Sequence, residues 1–161
     1  MATKASVGGH PIHPMLIPFP IGLLVFSLVA DVIFRAGWGG PVWNDVAYYT
    51  MLGGIVGALL AAVPGLIDYT VTTGRARRVA QAHLVLNLLV VAVYVASAWL
   101  RTTGPIEATL PVWLSAVGAV VLGVSGWLGG DLVYVHGVGM EEEHHVRIEA
   151  QRRETTQARS A

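Results

Sequence analysis

The chain has 161 residues, of which 54% are hydrophobic and only 12% charged, and its ten Lys and Arg balance ten Asp and Glu. Soluble domains carry about 25% charged residues, and a globule this small cannot hide so many apolar side chains, so the bilayer is the natural solvent for the excess. Zero net charge gives no electrostatic case for a nucleic-acid partner, and the absence of cysteine excludes disulfides, thiolate metal sites, iron–sulfur clusters and covalently attached c-type haem.

The first distinctive stretch is GHPIHPMLIPFP, residues 9–20, with two histidines and four prolines. Proline fixes φ and lacks a donor N–H, and it pushes the residue before it toward extended backbone. The segment therefore reads as a stiff, non-helical entry, with no regular helix before Pro18 and with Pro20 in the first turn of one. Stiffness lowers the entropy cost of presenting His10 and His13 in fixed positions. Residues 1–14 are accordingly assigned to a cytoplasmic entry segment.

Four stretches without Asp, Glu, Lys or Arg follow, at 14–30, 46–67, 79–100 and 108–130. The last three are each long enough to cross about 30 Å of hydrocarbon as a helix. The first becomes so if it runs to Phe34 with Asp31 at the interface. The expected spans are 15–34, 46–68, 79–100 and 108–135. The first is expected to be retained, because it lacks the basic n-region and cleavage site of a signal peptide.

Lys4, Arg75, Arg77, Arg78 and the tail arginines 147, 152, 153 and 159 fall on one side of such a chain, and Arg35 and Arg101 on the other. The positive-inside rule then puts both termini in the cytoplasm of a cell-membrane protein. Trp38, Trp43, Trp99 and Trp113 would form an outer aromatic belt. Short loops make consecutive helices antiparallel neighbours. The expected fold is an all-α, up-down-up-down four-helix membrane bundle over 15–136, followed by a polar cytoplasmic tail over 137–161.

Gly53-x-x-x-Gly57 and Gly126-x-x-x-Gly130, with Gly118, Gly123 and Gly129, predict close helix approach within the chain or between copies in a homo-oligomer. GALLAAVPGLIDY (57–69) and GAVVLGVSGWLGGDLVY (118–134) share a pattern, and His13 and His83 stand near the starts of spans one and three. Two repeated helical hairpins, related by an axis along the membrane normal, are expected.

This topology brings His10, His13, Asp68, His83, Asn87, Asp131 and His136 to one end. Ionisable groups at membrane depth tend to face a bundle interior. Candidate cofactor ligands are His13, His83 and His136, with His10 added for a bare metal. Asn87 shares a face with His83, and Asp68 and Asp131 are placed to accept from a histidine N–H. The same polar groups also serve as helix glue or as boundary residues.

GHPIHPMLIPFPIGLL, PGLIDY, AQAHLVLNLL and GWLGGDLVYVHGVG together resemble the bacterial membrane proteins grouped as domain of unknown function 2231, over roughly residues 8–140. The resemblance implies a four-helix membrane protein without an established activity. Some similar proteins also carry a Rieske-type or cytochrome-type domain, which implies a link to electron transfer. Relatives often have a histidine just before the Phe-Pro, where this chain has Pro18.

Three functions remain open. One is a non-catalytic membrane module that packs against or docks a redox partner. The second is a b-type haem or metal-binding electron-transfer protein, in which haem takes one or two axial histidines. The third is proton or small-ion transport through Asp31, Asp68, Asp131 and the histidines. No hydrolase or phosphate-cradling motif is present, and whether the chain is an enzyme stays open.

Overall fold

The structure, a computed structural model, describes residues 4–139 and residue 157. Of the polar tail expected over 137–161, residues 140–156 and 158–161 lie outside the described ones.

The polypeptide begins with a small antiparallel hairpin, β1 (Ser6–Val7) and β2 (His10–Pro11). Gly8 and Gly9 turn it, with φ of 57° and 81°. Two consecutive positive φ values suit the twist of a two-residue hairpin loop, and only glycine adopts them without strain. A short helix α1 (Ile12–Leu16) follows, then α2 (Pro18–Arg35), α3 (Val42–Val71), α4 (Gly74–Thr103) and α5 (Leu110–Tyr134). Residues 12–35 and the three later helices are each long and apolar enough to cross a membrane.

The entry segment departs from expectation. It is helical from Ile12 rather than non-helical up to Pro18. Pro11 is the extended N-cap and Pro14 the third helical position. The first four N–H groups of a helix have no partner in the helix, so Pro14 breaks nothing. Ile17 keeps helical backbone before Pro18, which restarts the helix as the first residue of α2.

The helix ends also differ from the charge-free windows. Only Thr72 and Thr73 separate α3 from α4, and Arg75, Arg77 and Arg78 lie in the first turns of α4 instead of a loop. Arginine is a good helix former, so the helix continues past the point where the chain stops being apolar.

The helices form an all-α bundle in which α2 packs most extensively on α3, and α4 on α5, with thinner contacts of α3 on α4 and α2 on α5. The molecule is thus two helical hairpins side by side. The buried core between them contains Leu24, Met51, Ile55, Val90, Tyr94, Ala98 and Leu122. The outer helix faces carry exposed apolar side chains, among them Trp99, Trp113 and Trp127, as helices facing lipid should.

The glycines divide by hairpin contact. A Cβ at Gly53 would meet Leu23, and one at Gly57 would meet Phe19 and Pro20, so this motif closes α3 on α2. Gly118 lies against the Tyr94 ring and Gly129 against the His83 ring, whereas a Cβ at Gly123 or Gly126 would meet nothing. The Gly126-x-x-x-Gly130 pair therefore makes no helix contact within the described chain at Gly126. The spacing was right, but its face points away from α4.

Candidate functional site

At the end of the bundle where the chain enters, α1 brings His13 and α4 brings His83 to the bundle interior. Their ring centroids are 6.4 Å apart and their planes nearly perpendicular, at 88°. Each ring is tied to the second helix of its own hairpin. His13 Nδ1 lies 2.7 Å from the Ala61 carbonyl oxygen, and His83 Nδ1 lies 2.8 Å from that of Ser125. A carbonyl only accepts, so in each case Nδ1–H donates, and in the neutral ring Nε2 carries the lone pair. Asn87 agrees, since its Nδ2 donates to His83 Nε2 at 3.0 Å and to the His83 carbonyl at 2.8 Å.

Glycine makes these approaches possible. A Cβ at Gly65 would stand 2.9 Å from His13 Nδ1, and one at Gly129 would stand 3.1 Å from His83 Cε1. Each glycine lies one turn beyond the carbonyl that receives the imidazole, so the ring occupies the space of the missing side chain. Pro64, buried inside α3, removes the N–H that would pair with the Leu60 carbonyl beside the turn on which His13 sits.

The two halves of the site occupy matching positions along the chain. His13 and His83 stand at an offset of 70, as do Leu24 and Tyr94, and Asp31 and Arg101. Gly54 lies under Leu24 as Gly118 lies under Tyr94, and Ala61 and Gly65 serve His13 as Ser125 and Gly129 serve His83. These contacts align α3 with α5 at an offset of 64. The alignment of Gly57 with Gly118 expected from sequence is therefore corrected by three residues. A shift of nearly one helical turn preserves the face, so apolar composition alone did not reveal the error.

The other expected site residues are distributed as follows. His136 Nε2 lies 3.5 Å from Asp131 Oδ2. Asp68 is buried and accepts the Ala5 N–H at 3.3 Å, which fastens the entry hairpin to the end of α3. His10 is exposed and its Nδ1 bonds the Gly8 carbonyl within the turn, at 3.0 Å. Among the described residues no group of three or more His, Asp or Glu side chains is arranged to hold one metal ion, so the four-histidine metal set does not assemble there.

A polar layer that sequence reading missed lies at the opposite end. Arg101 Nη1 and Nη2 donate to Asp31 Oδ1 and Oδ2, both at 2.7 Å. The Asp31 side chain is 1% exposed and that of Arg101 7%. Ser115 Oγ accepts from Arg101 at 3.3 Å, and Ser97 Oγ donates to the Pro111 carbonyl at 2.8 Å. Asp31 and Arg101 read from sequence as residues at span boundaries. The signal that pairs them is their shared offset of 70, the same as for the histidines.

The two imidazoles would form a donor set for two positions on one metal once Asn87 leaves His83 Nε2. With metal–imidazole bonds of about 2.0–2.1 Å, one ion held by both Nε2 atoms sets ring centroids roughly 6 Å apart. The observed centroid distance of 6.4 Å is compatible with that spacing.

Fold and site together define a multi-pass membrane bundle of two hairpins, each contributing one imidazole to a shared interior layer. The chain belongs to the family described as "Predicted membrane protein (DUF2231)", whose model matches residues 9–142. No match was found among curated proteins or among solved structures.

Proposed function

We propose that this protein is a membrane electron-transfer module that binds one b-type haem through His13 and His83. The observation that carries the reading is the imidazole pair itself, with both Nδ1 atoms held by main-chain carbonyls, so that a ligand would take the Nε2 atoms and displace the Asn87 amide from that of His83. That is the arrangement of metal-bound histidines, whose second nitrogen donates to a carbonyl or carboxylate. Donor count supports haem over a bare ion. Zinc sites use three or four protein ligands, and no third donor joins the pair among the described residues. Haem iron takes only axial ligands from protein.

Contacts between the hairpins are thinner than within them, and that is where His13 meets His83. When bound, the haem would supply one-electron chemistry. His13 and His83 would hold it, the Ala61 and Ser125 carbonyls would orient their rings, and Gly65 and Gly129 would leave room for them. Lys4, Arg75, Arg77 and Arg78 mark the histidine end as the cytoplasmic face on the positive-inside rule, and a redox protein on that side would be the electron partner.

A second reading is favoured by Asn87, which already occupies His83 Nε2. There the pair only joins helices, and the chain is a non-catalytic module that docks a redox partner. An absorption spectrum with metal analysis of the detergent-purified protein, as isolated and after haem addition, decides between them. A stoichiometric Soret band lost in both His13→Ala and His83→Ala is expected. Absence of both Soret absorbance and stoichiometric metal leaves only the second reading.

A further inference from the structure

The geometry points to the Asp31–Arg101 pair as the element that makes the two hairpins choose each other, and so closes the bundle within one chain.

Residues on a two-fold axis meet their own equivalents. The interior does this at three levels: His13 faces His83, the Leu24 carbonyl receives the Tyr94 hydroxyl at 3.4 Å, and Asp31 binds Arg101. The hairpins thus present one another with nearly the same surface. An interface built from equivalent surfaces is self-complementary, so hairpin one could equally pair with hairpin one of a second copy.

Two levels of the first hairpin would permit that. His13 against His13 and Leu24 against Leu24 remain compatible with packing. The third level would not. Pairing first hairpins would set Asp31 against Asp31, and pairing second hairpins would set Arg101 against Arg101. Like charges out of water are the arrangement a membrane interior tolerates least, and a repulsive element against the wrong partner is how interfaces acquire specificity. Only unlike hairpins give the bidentate pair. Because each chain has one of each, joined by two residues, this choice yields a closed unit. Like-with-like pairing would instead join separate copies.

The test uses full-length chains carrying two different affinity tags, co-expressed and purified in detergent. In Asp31→Leu/Arg101→Leu, which keeps the layer apolar but removes the choice, the fraction of material carrying both tags should rise several-fold over wild type. In the reversed chain Asp31→Arg/Arg101→Asp it should return to the wild-type level. Equal mixed-tag fractions in wild type and the leucine variant would overturn the inference.

A second arrangement covers poor folding of the leucine variant. Asp31→Arg in one chain and Arg101→Asp in the other are mismatched alone but complementary together. The two tags should then co-purify when both chains are made and not when either is made with itself. Failure of the complementary chains to co-purify would equally overturn it.

Discussion

Gly118→Ala should destabilise the bundle, while Gly126→Ala, eight residues along the same helix, should not. The Cβ at position 118 would lie 2.7 Å from Tyr94 Cε2, 3.1 Å from Cδ2 and 3.2 Å from Cζ. Tyr94 is completely buried, and its hydroxyl reaches the Leu24 carbonyl, so the ring has no free volume to move into. Overpacking of this kind costs about 1–3 kcal/mol. For a chain of this length each kcal/mol lowers the melting temperature by about 2–4 °C, which gives a drop of roughly 2–12 °C. At Gly126 the new methyl meets nothing, and exchanging glycine for alanine inside a helix gains up to about 1 kcal/mol. Thermal unfolding of the purified protein, followed by tryptophan fluorescence, measures both. The clash should also be relieved by Gly118→Ala/Tyr94→Leu, which should be more stable than the sum of its single changes predicts by about 0.5–3 kcal/mol. Equal melting temperatures for the alanine variants at 118 and 126, or strict additivity with Tyr94→Leu, would refute the packing.

Other outcomes follow from single contacts. Gly65→Ala would push the His13 ring off the Ala61 carbonyl, so it should lower haem occupancy as His13→Ala does, read from the Soret band. His10→Ala should leave that occupancy unchanged, because His10 is exposed and bonded only within its own turn. Arg101→Leu alone strands the buried Asp31 carboxylate and should cost about 3–5 kcal/mol, whereas Asp31→Leu/Arg101→Leu should recover most of that loss in the same melting assay. Arg35→Ala removes exposed bonds to the Glu107 and Ala108 carbonyls and should cost under about 1 kcal/mol.

The class of the molecule was legible because hydropathy and charge gaps report directly on the bilayer. The approach of His13 to His83 was legible for a related reason: once four spans are fixed, depth is fixed too, and residues at equal depth on interior faces meet. What stayed hidden depended on register and azimuth. The offset of 64 between α3 and α5 differs from the apparent 61 by nearly one turn, a shift that apolar composition does not resolve. Azimuth separates the glycines: a small-residue spacing marks close approach within the chain only where it faces a neighbouring helix, as at Gly53 and Gly57 but not at Gly126. Boundary reading misled at Asp31 and Arg101: charges near span ends normally reach for headgroups, and only their equivalence across the repeat marks them as partners. Helix α1 was missed because Pro14 was counted as a breaker, although in a first turn it breaks no bond.

The vertical order of the layers bears on the remaining functional alternative. From His83 to Arg101, α4 rises about 27 Å, close to the thickness of the hydrocarbon core. Polar groups occupy the two ends of that distance: His13, His83 and Asn87 at one, and Asp31, Arg101, Ser97 and Ser115 at the other. Between Asn87 and the Tyr94 hydroxyl lie the buried side chains of Leu24, Met51, Val90 and Leu122, over about 10 Å of helix rise. A proton passes along hydrogen-bonded groups or water, and a packed apolar layer offers neither. The two ends are therefore expected to act separately, with ligand chemistry at one membrane face and hairpin pairing at the other. Proteoliposomes should show no pH-gradient-driven flux above empty vesicles, and Leu24→Ala/Val90→Ala, which opens that layer, should be the variant that leaks. A wild-type flux as large as that of the opened variant would mean the layer does not insulate, and the histidines would then have to be reread as part of a relay.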